Sequence, residues 1–284
     1  MQKKFNKMKN SVFNQELLGY IQDGELQRKR LSLLGNEVCN LTPNDQFPHL
    51  YLFGNAGIGK THVINDSMKI HKIDHTMVTG NLSMFKFGVR LAVINYQTPK
   101  DKIRYVVIDD CNEILKNEEN LNIVKNMLSD EKCYTYQKSL QNLMGSLDSL
   151  ETKALAKHSK AGGGFVVPLN NFVFIFTSNS KLPGDDEIRT QKDRHLNAIR
   201  SRVIYKDLTM KPTTLWGYIT DVILNTTALP KEVPTQVKEE LCLFMFERWS
   251  ELTERSVRGA QKMGQVYMKN PQDYQMIWMS DYTK

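Results

Sequence analysis

Four short runs enriched in apolar, β-branched and aromatic residues stand out along the chain. They predict buried strands at 49–53, 76–79, 104–110 and 171–179, each bounded by polar or turn-forming residues. Continuous apolar runs, as opposed to alternating ones, are typical of parallel strands that are covered on both faces. The chain is therefore predicted to contain an α/β domain built on a parallel sheet.

Helical spacing of apolar residues fills much of the remaining sequence. Residues 15–38 suit one or two amphipathic helices, 61–72 and 121–128 suit one helix each, and 82–96 fits a helix or a strand. From Pro212 onward the pattern is purely helical. These elements predict a basic tail and helix at 1–44, an α/β domain at 45–210, and a small helical domain with a C-terminal tail at 211–284.

A glycine-rich loop follows the first predicted strand, and its sequence fills every fixed position of the phosphate-binding pattern. The glycines let consecutive backbone N–H groups turn toward phosphates. The Lys60 ammonium can reach the β and γ oxygens, and the Thr61 hydroxyl can ligate Mg²⁺. We therefore predict binding of a nucleoside triphosphate with Mg²⁺ by Gly54, Asn55, Ala56, Gly57, Ile58, Gly59, Lys60, Thr61 and His62.

Polar side chains end the last two predicted strands. Asp109 and Asp110 close one of them, and Asn179 closes the other. The carboxyl ends of parallel strands face the ligand crevice in open α/β sheets, so these side chains are expected beside the glycine loop. Asp109 is expected to hold Mg²⁺ together with Thr61, Asp110 to orient the attacking water, and Asn179 to bond the γ-phosphate or that water without adding charge.

Composition and charge narrow the range of partners. The chain of 284 residues carries a net charge of +7, which favours a polyanionic partner such as DNA. Lysines at 3, 4, 7 and 9 either contact nucleic acid or form a solvated tail. We see no membrane-spanning run and no secretory signal, so a cytoplasmic protein without a membrane partner is expected. The four cysteines and six histidines lack the spacing of metal ligands.

The motifs and their order resemble those of the AAA+ ATPases. The loop at 54–61, the acidic strand end at 109–110 and the strand ending at Asn179 are similar to Walker A, Walker B and sensor 1. The resemblance covers roughly residues 45–270. It implies a P-loop NTPase fold, a parallel three-layer αβα sandwich followed by a small helical lid. It also implies ATP hydrolysis by a homo-oligomer, a ring or an open spiral, with ATP held between subunits.

Two arginine positions follow from the same resemblance. The end of the helix near residue 200 is similar to the place from which AAA+ proteins offer an arginine finger to the neighbouring subunit. Arg202 is the first candidate for that finger, Arg200 the second and Arg194 the third, and a salt bridge or helix cap is the alternative role. Arg258 resembles the sensor 2 arginine. The predicted catalytic residues are Asp110, Asn179, Arg202 and Arg258.

One departure from the common family pattern and one long segment are informative. Asp110 stands where a glutamate is usual, which resembles the initiator and helicase-loader branch and several ATPases of tailed phages. We expect slow turnover, with Glu113 as the alternative residue for orienting water. The long segment at 138–165 resembles insertions that form a hairpin or loop directed to the pore of AAA+ rings. It either contacts nucleic acid or a threaded polypeptide, or it is a plain surface loop.

The leading hypothesis is an ATPase that acts on DNA in replication, of the helicase-loader or clamp-loader type. The resemblance suggests a phage or mobile-element protein working in the host cytoplasm. One alternative is a protein-remodelling ATPase of the MoxR or cobalt-chelatase kind, acting on a protein client. The other is a nucleotide-gated scaffold with little turnover, for which Asp110 is the sequence signal. The basic segments favour the first.

Overall fold

The computed structural model describes residues 13–80, 82–110, 112–140, 143–160 and 163–284, with the backbone alone at 112–113. The lysines at 3, 4, 7 and 9 lie outside the described residues. Internal contacts divide the chain into two units. Residues 13–34, 55–63 and 209–284 form what we call the helical unit, and residues 35–54 and 64–208 form the sheet unit.

Five parallel strands make up the main sheet of the sheet unit. They are β1 (Leu50–Phe53), β2 (His75–Thr79), β3 (Arg104–Asp109), β6 (Phe172–Ser178) and β7 (Ile204–Asp207), in the spatial order β2-β3-β6-β1-β7. Strand β6 is buried along its whole length and β3 up to its last residue, which explains their continuous apolar sequences. The sequence analysis missed β7, because this strand is only four residues long and none of them is fully buried.

The register brings the carboxyl ends of β1, β6 and β3 level with one another. Phe53 pairs with Ser178, and Thr177 pairs with Asp109. The backbone N–H of Asp110 extends this ladder by donating to the Thr177 carbonyl at 3.0 Å. The three strands therefore end at the same edge of the sheet, and the acidic end of β3 lies on that edge.

Helices flank this sheet, so the predicted α/β class with a parallel sheet is confirmed, and the arrangement is compatible with a three-layer sandwich. The ambiguous segment 82–96 forms a helix, in which Phe87 and Leu91 are fully buried. The Ser83 side chain caps this helix by accepting from the Lys86 N–H at 3.3 Å. The helices up to residue 200 are α1 (Gln15–Cys39), α2 (Lys60–Ile70), α3 (Met84–Gln97), α4 (Glu118–Met127), α5 (Ser149–Ala156) and α6 (Gln191–Arg200).

A second, two-stranded sheet occupies the long interval between β3 and β6. Strands β4 (Cys133–Tyr136) and β5 (Phe165–Pro168) pair antiparallel, with α5 between them in sequence. The hairpin packs on α3 at Gly88, where a Cβ atom would lie 2.2 Å from the Tyr134 ring. Segment 138–165 thus lies mostly between these two strands and contributes α5, and its predicted role, contact with nucleic acid or a polypeptide or a plain surface loop, stays a prediction.

The helical unit combines the first part of α1 with α7 (Pro212–Asn225), α8 (Thr235–Glu247), α9 (Val257–Lys269) and α10 (Tyr274–Asp281). Helices α1 and α7 cross at Gly217, where a Cβ atom would lie 1.8 Å from the Tyr20 carbonyl oxygen. The buried Asp221 carboxylate is paired with the Arg28 guanidinium beside this crossing. Near the C-terminus, the Trp278 indole N–H donates to the Met263 carbonyl at 2.9 Å, so this stretch packs back on α9.

Replacing Gly217 by alanine is expected to destabilise the helical unit, because a methyl group cannot fit against the Tyr20 carbonyl without moving a helix. We expect Gly217→Ala to lower the free energy of unfolding by about 1–3 kcal/mol. The matched control is Gly19→Ala, since Gly19 is exposed on α1 and a Cβ there meets no atom within 4 Å. Helix propensity alone should make that control neutral or up to about 1 kcal/mol more stable.

Tryptophan fluorescence during urea unfolding gives the measurement, because Trp216, Trp249 and Trp278 all belong to the helical unit. Equal urea midpoints for Gly217→Ala and the natural protein would contradict so close an approach of α1 and α7 at Gly217.

Candidate nucleotide-binding site

The glycine loop between β1 and α2 has the backbone that its sequence predicts. Gly57 and Gly59 have φ angles of +69° and +83°, in the left-handed region that side chains with a Cβ rarely adopt. Lys60 is buried, and its ammonium donates to the Asn55 carbonyl at 2.9 Å. Successive turns of this kind point backbone N–H groups toward one concavity, which suits an anion such as phosphate.

Two contacts within the helical unit support the loop from outside the motif. The Tyr218 hydroxyl, on α7, donates to the Ile58 carbonyl at 2.5 Å, and burial raises the pKa of Tyr218 to about 12. The Asn55 side-chain oxygen accepts from the Met210 backbone N–H at 2.8 Å. The sequence analysis missed Tyr218 and Met210, since no motif connects them to a loop some 150 residues earlier.

The start of α9 lies directly against the loop. A Cβ on Gly57 would lie 2.5 Å from the Ser256 Cβ, so only glycine fits there. Ser256 caps α9 by accepting from the Gly259 N–H at 3.0 Å. Arg258 is exposed in the first turn, and the described residues offer its guanidinium no hydrogen bond or ion pair.

A cleft of about 420 Å³ opens beside the loop, wholly within the helical unit. One part of its lining is apolar and the other part carries two arginines and a glutamate. Burial alone would raise the pKa of Glu254. Three neighbouring groups hold this pKa below its ordinary value: the Lys262 ammonium at 2.6 Å, the Ser256 hydroxyl at 2.8 Å and the nearby Arg258 guanidinium. The lining residues are Asn55, Ala56, Gly57, Met210, Pro212, Leu215, Trp249, Thr253, Glu254, Arg255, Ser256 and Arg258.

The cleft contains functional candidates that the sequence analysis did not identify. Trp249, half-buried, lies just past the end of α8. Arg255 precedes the cap of α9, and its guanidinium donates to the Ser250 carbonyl at 2.7 Å. A cleft of this volume, apolar with a few convergent charges, is of the size that takes a small organic ligand.

The acidic edge of the sheet unit brings together the three polar residues predicted to meet there. The buried Thr177 hydroxyl donates to the Asp109 carboxylate at 2.5 Å. The Asn179 amide donates to the Asp110 carboxylate at 3.5 Å, and Asp110 itself has a φ of +53°. Thr177 was missed, although a hydroxyl inside an otherwise apolar strand was a signal for it.

The remaining predicted site residues are placed as follows. Gly54 packs against Leu208, where a Cβ would lie 2.9 Å from the Leu208 Cβ. Thr61 and His62 lie in the first turn of α2, half-buried and exposed respectively. The backbone of Glu113 forms part of a 3₁₀ turn, and its side chain lies outside the described part of the structure.

The three arginines proposed as fingers differ in their contacts. The Arg200 guanidinium donates to the Leu182 carbonyl at 2.8 Å and lies 4.2 Å from the centre of the Tyr205 ring. The Arg202 guanidinium donates to a carbonyl of its own helix, that of Ala198. Arg194 is exposed, with a 3.4 Å bond to Gln191 one turn away. Arg202 thus makes a contact at the end of α6, whereas Arg200 contacts a loop carbonyl and an aromatic ring.

Comparisons with known proteins add no identification to this geometry. No protein-family model matches the chain, and no curated protein matches it. Among the described residues, no helix has both the length and the apolar character required to cross a bilayer. Those same residues contain no group of three His, Cys, Asp or Glu side chains able to hold a metal ion.

Substitution of Arg200 should weaken the sheet unit, because its guanidinium joins the end of α6 to Leu182 and stacks on Tyr205. For Arg200→Ala we expect a loss of about 1–2 kcal/mol in the free energy of unfolding, from one hydrogen bond and one cation–π contact. Arg194→Ala is the matched control, since Arg194 is exposed on the same helix and should change stability by less than about 0.5 kcal/mol. Thermal unfolding followed by circular dichroism compares the two variants. Equal midpoints would contradict the assignment of Arg200 to structure.

Proposed function

We propose that this protein is a Mg²⁺-dependent ATPase of the AAA+ type. One observation carries the proposal. The register of β1, β6 and β3 makes Phe53 level with Ser178, and Thr177 level with Asp109. Gly54 follows Phe53 in the chain, so the phosphate-loop sequence leaves the sheet at the edge where the acidic pair ends. This is the edge at which open parallel sheets bind nucleotides.

The chemistry of the cleft supports a nucleotide as the ligand. Met210, Pro212, Leu215 and the Trp249 ring offer apolar surface to a flat base. The loop backbone and the Arg258 guanidinium offer donors and positive charge to phosphates. Since the Arg258 guanidinium is exposed and unpaired among the described residues, ligand binding need not break an existing ion pair.

We assign the hydrolytic roles to Thr61, which follows the glycine loop, and to the residues of the acidic edge. Thr61 and Asp109 are the residues that would hold Mg²⁺, which supplies neutralisation of phosphate charge when bound. The Thr177 hydroxyl fixes the orientation of Asp109. Asp110 orients the water that attacks the γ-phosphorus, and the Asn179 amide donates to that water or to a γ oxygen.

The oligomeric and DNA-directed parts of the proposal rest on resemblance and on charge. In this proposal ATP lies between subunits, and an arginine from the neighbour, Arg202 first, completes the site. A net charge of +7 supports DNA as the partner, in replication of the helicase-loader or clamp-loader type. A nucleotide-gated scaffold is the second candidate, favoured by the short Asp110 side chain already bonded to Asn179.

Lys60→Ala should abolish ATP binding, because it removes the cation that reaches the β and γ oxygens. Lys69→Ala is the matched control, since Lys69 is exposed at the other end of α2. Binding is followed by the change in tryptophan fluorescence on titration with Mg-ATP, and Trp249→Phe identifies the source of the signal. We expect at least about a hundredfold weaker binding for Lys60→Ala and no change for Lys69→Ala.

Turnover is then measured per subunit over a range of protein concentrations, with and without single- and double-stranded DNA. A rate that rises with concentration and with DNA supports the shared-site DNA ATPase. Binding without turnover supports the scaffold, turnover that ignores DNA points to a protein client, and ATP binding unchanged by Lys60→Ala contradicts the proposed site.

Arg202→Ala should keep ATP binding and lose turnover, because a finger contacts the γ-phosphate of the neighbouring subunit only during hydrolysis. Such a group contributes on the order of a thousandfold in rate. Mixing Arg202→Ala with Lys60→Ala subunits should restore part of the activity, since a mixed interface can combine an intact loop with an intact arginine. Arg194→Ala mixed with Lys60→Ala tests the third candidate. The absence of recovery in mixtures shown to co-assemble would count against a shared site.

A further inference from the structure

Helices α3 and α5 form a surface that the proposed ATPase site does not use. The two helices pack against each other in the sheet unit. The Lys86 ammonium lies 3.7 Å from the Glu151 carboxylate, and the Lys157 ammonium lies 4.5 Å from the centre of the Tyr96 ring. These two cross-helix contacts, at different points along both helices, define a continuous face.

The charge on this face is strongly positive. Helix α3 and residues 143–160 together carry five basic and two acidic side chains. Both acids are engaged in the structure of α5. Asp148 accepts from the Leu150 and Glu151 N–H groups at 2.8 Å, and Glu151 accepts from the Asp148 N–H at 3.0 Å.

Three of the other basic side chains are available to a partner. Arg90, Lys153 and Lys157 are exposed, and none of them forms an ion pair with another residue that the structure describes. Lys153 and Lys157 are one helical turn apart, so their side chains leave α5 on the same side. The Tyr96 ring restrains Lys157 by a cation–π contact, which reduces the entropy lost when the ammonium binds an anion.

We propose that the α3–α5 face binds the sugar–phosphate backbone of a nucleic acid. Several cations on a rigid pair of helices, with their neighbouring acids already bonded, complement a regular row of phosphates. The contact is to phosphates and carries no base specificity. The inference rests on the DNA-directed part of the proposed function, and it names the surface through which that partner is held.

The test compares two triple charge reversals of equal net charge. The first is Arg90→Glu with Lys153→Glu and Lys157→Glu. The control is Lys69→Glu with Lys231→Glu and Lys269→Glu, at exposed lysines of other surfaces. Binding of labelled single- and double-stranded oligonucleotides of one sequence is measured by fluorescence anisotropy from low to physiological salt. ATP turnover without DNA is measured for each protein.

For the α3–α5 variant we expect the dissociation constant to rise about tenfold or more. We also expect the logarithm of the association constant to fall less steeply with the logarithm of the salt concentration. The slope should become shallower by roughly 0.9 for each duplex phosphate that the variant no longer neutralises, and by roughly 0.7 for each phosphate of a single strand. The control should change the dissociation constant much less, and basal turnover should be unchanged in both. If only the single-stranded or only the double-stranded oligonucleotide binds more weakly, the result supports the proposed surface and identifies the form of nucleic acid that it binds.

Equal weakening by both triple variants would overturn the proposal, because overall charge would then explain binding. Absence of DNA binding by the natural protein would also overturn it, while ATP turnover would show separately whether the ATPase proposal stands. If the reversed variant melts at a lower temperature, the neutral Arg90→Gln, Lys153→Gln and Lys157→Gln variant replaces it. An affinity unchanged in that variant would overturn the proposal equally.

Discussion

The pairing of β6 between β3 and β1 is the constraint on which the candidate site depends. Strand β6 is buried at all seven positions, and its rings at 172, 174 and 176 contact one another in sequence. Side chains alternate between the two faces of a strand, so this apolar set lies on one face and Thr177 on the other. A slip of one residue in the pairing would exchange the two faces. The buried register therefore fixes the Thr177–Asp109 hydrogen bond and keeps Phe53 level with Ser178.

In the helical unit, contacts from α7 and from the start of α9 hold the glycine loop. The close approach of α1 and α7 at Gly217 leaves no space for a side chain, and the next residue, Tyr218, donates to the Ile58 carbonyl. The packing of two helices thus determines where a loop carbonyl is held. Ser256 acts from another direction, since it caps α9 and also fills the space that a Cβ on Gly57 would need.

Features that depend on local sequence were predictable, and features that depend on distant contacts were not. The left-handed glycines, the Ser256 cap and the buried strands follow from residue types and short spacings. Strand β7 is too short and too exposed to give a pattern, and Tyr218 reaches the loop across 160 positions. A sequence motif can predict that Arg200 lies at a helix end. Only the packed structure shows that its guanidinium donates to the Leu182 carbonyl and stacks on the Tyr205 ring.

The backbone at Asp110 bears on how an aspartate could serve where a longer glutamate is usual. Its φ of +53° is uncommon for a residue with a Cβ and costs roughly 1 kcal/mol, so the surrounding bonds must maintain it. The N–H is held by the Thr177 carbonyl at 3.0 Å, and the carboxylate lies 3.5 Å from the Asn179 amide. Under the proposed function, a carboxylate shared with Asn179 is less available to water.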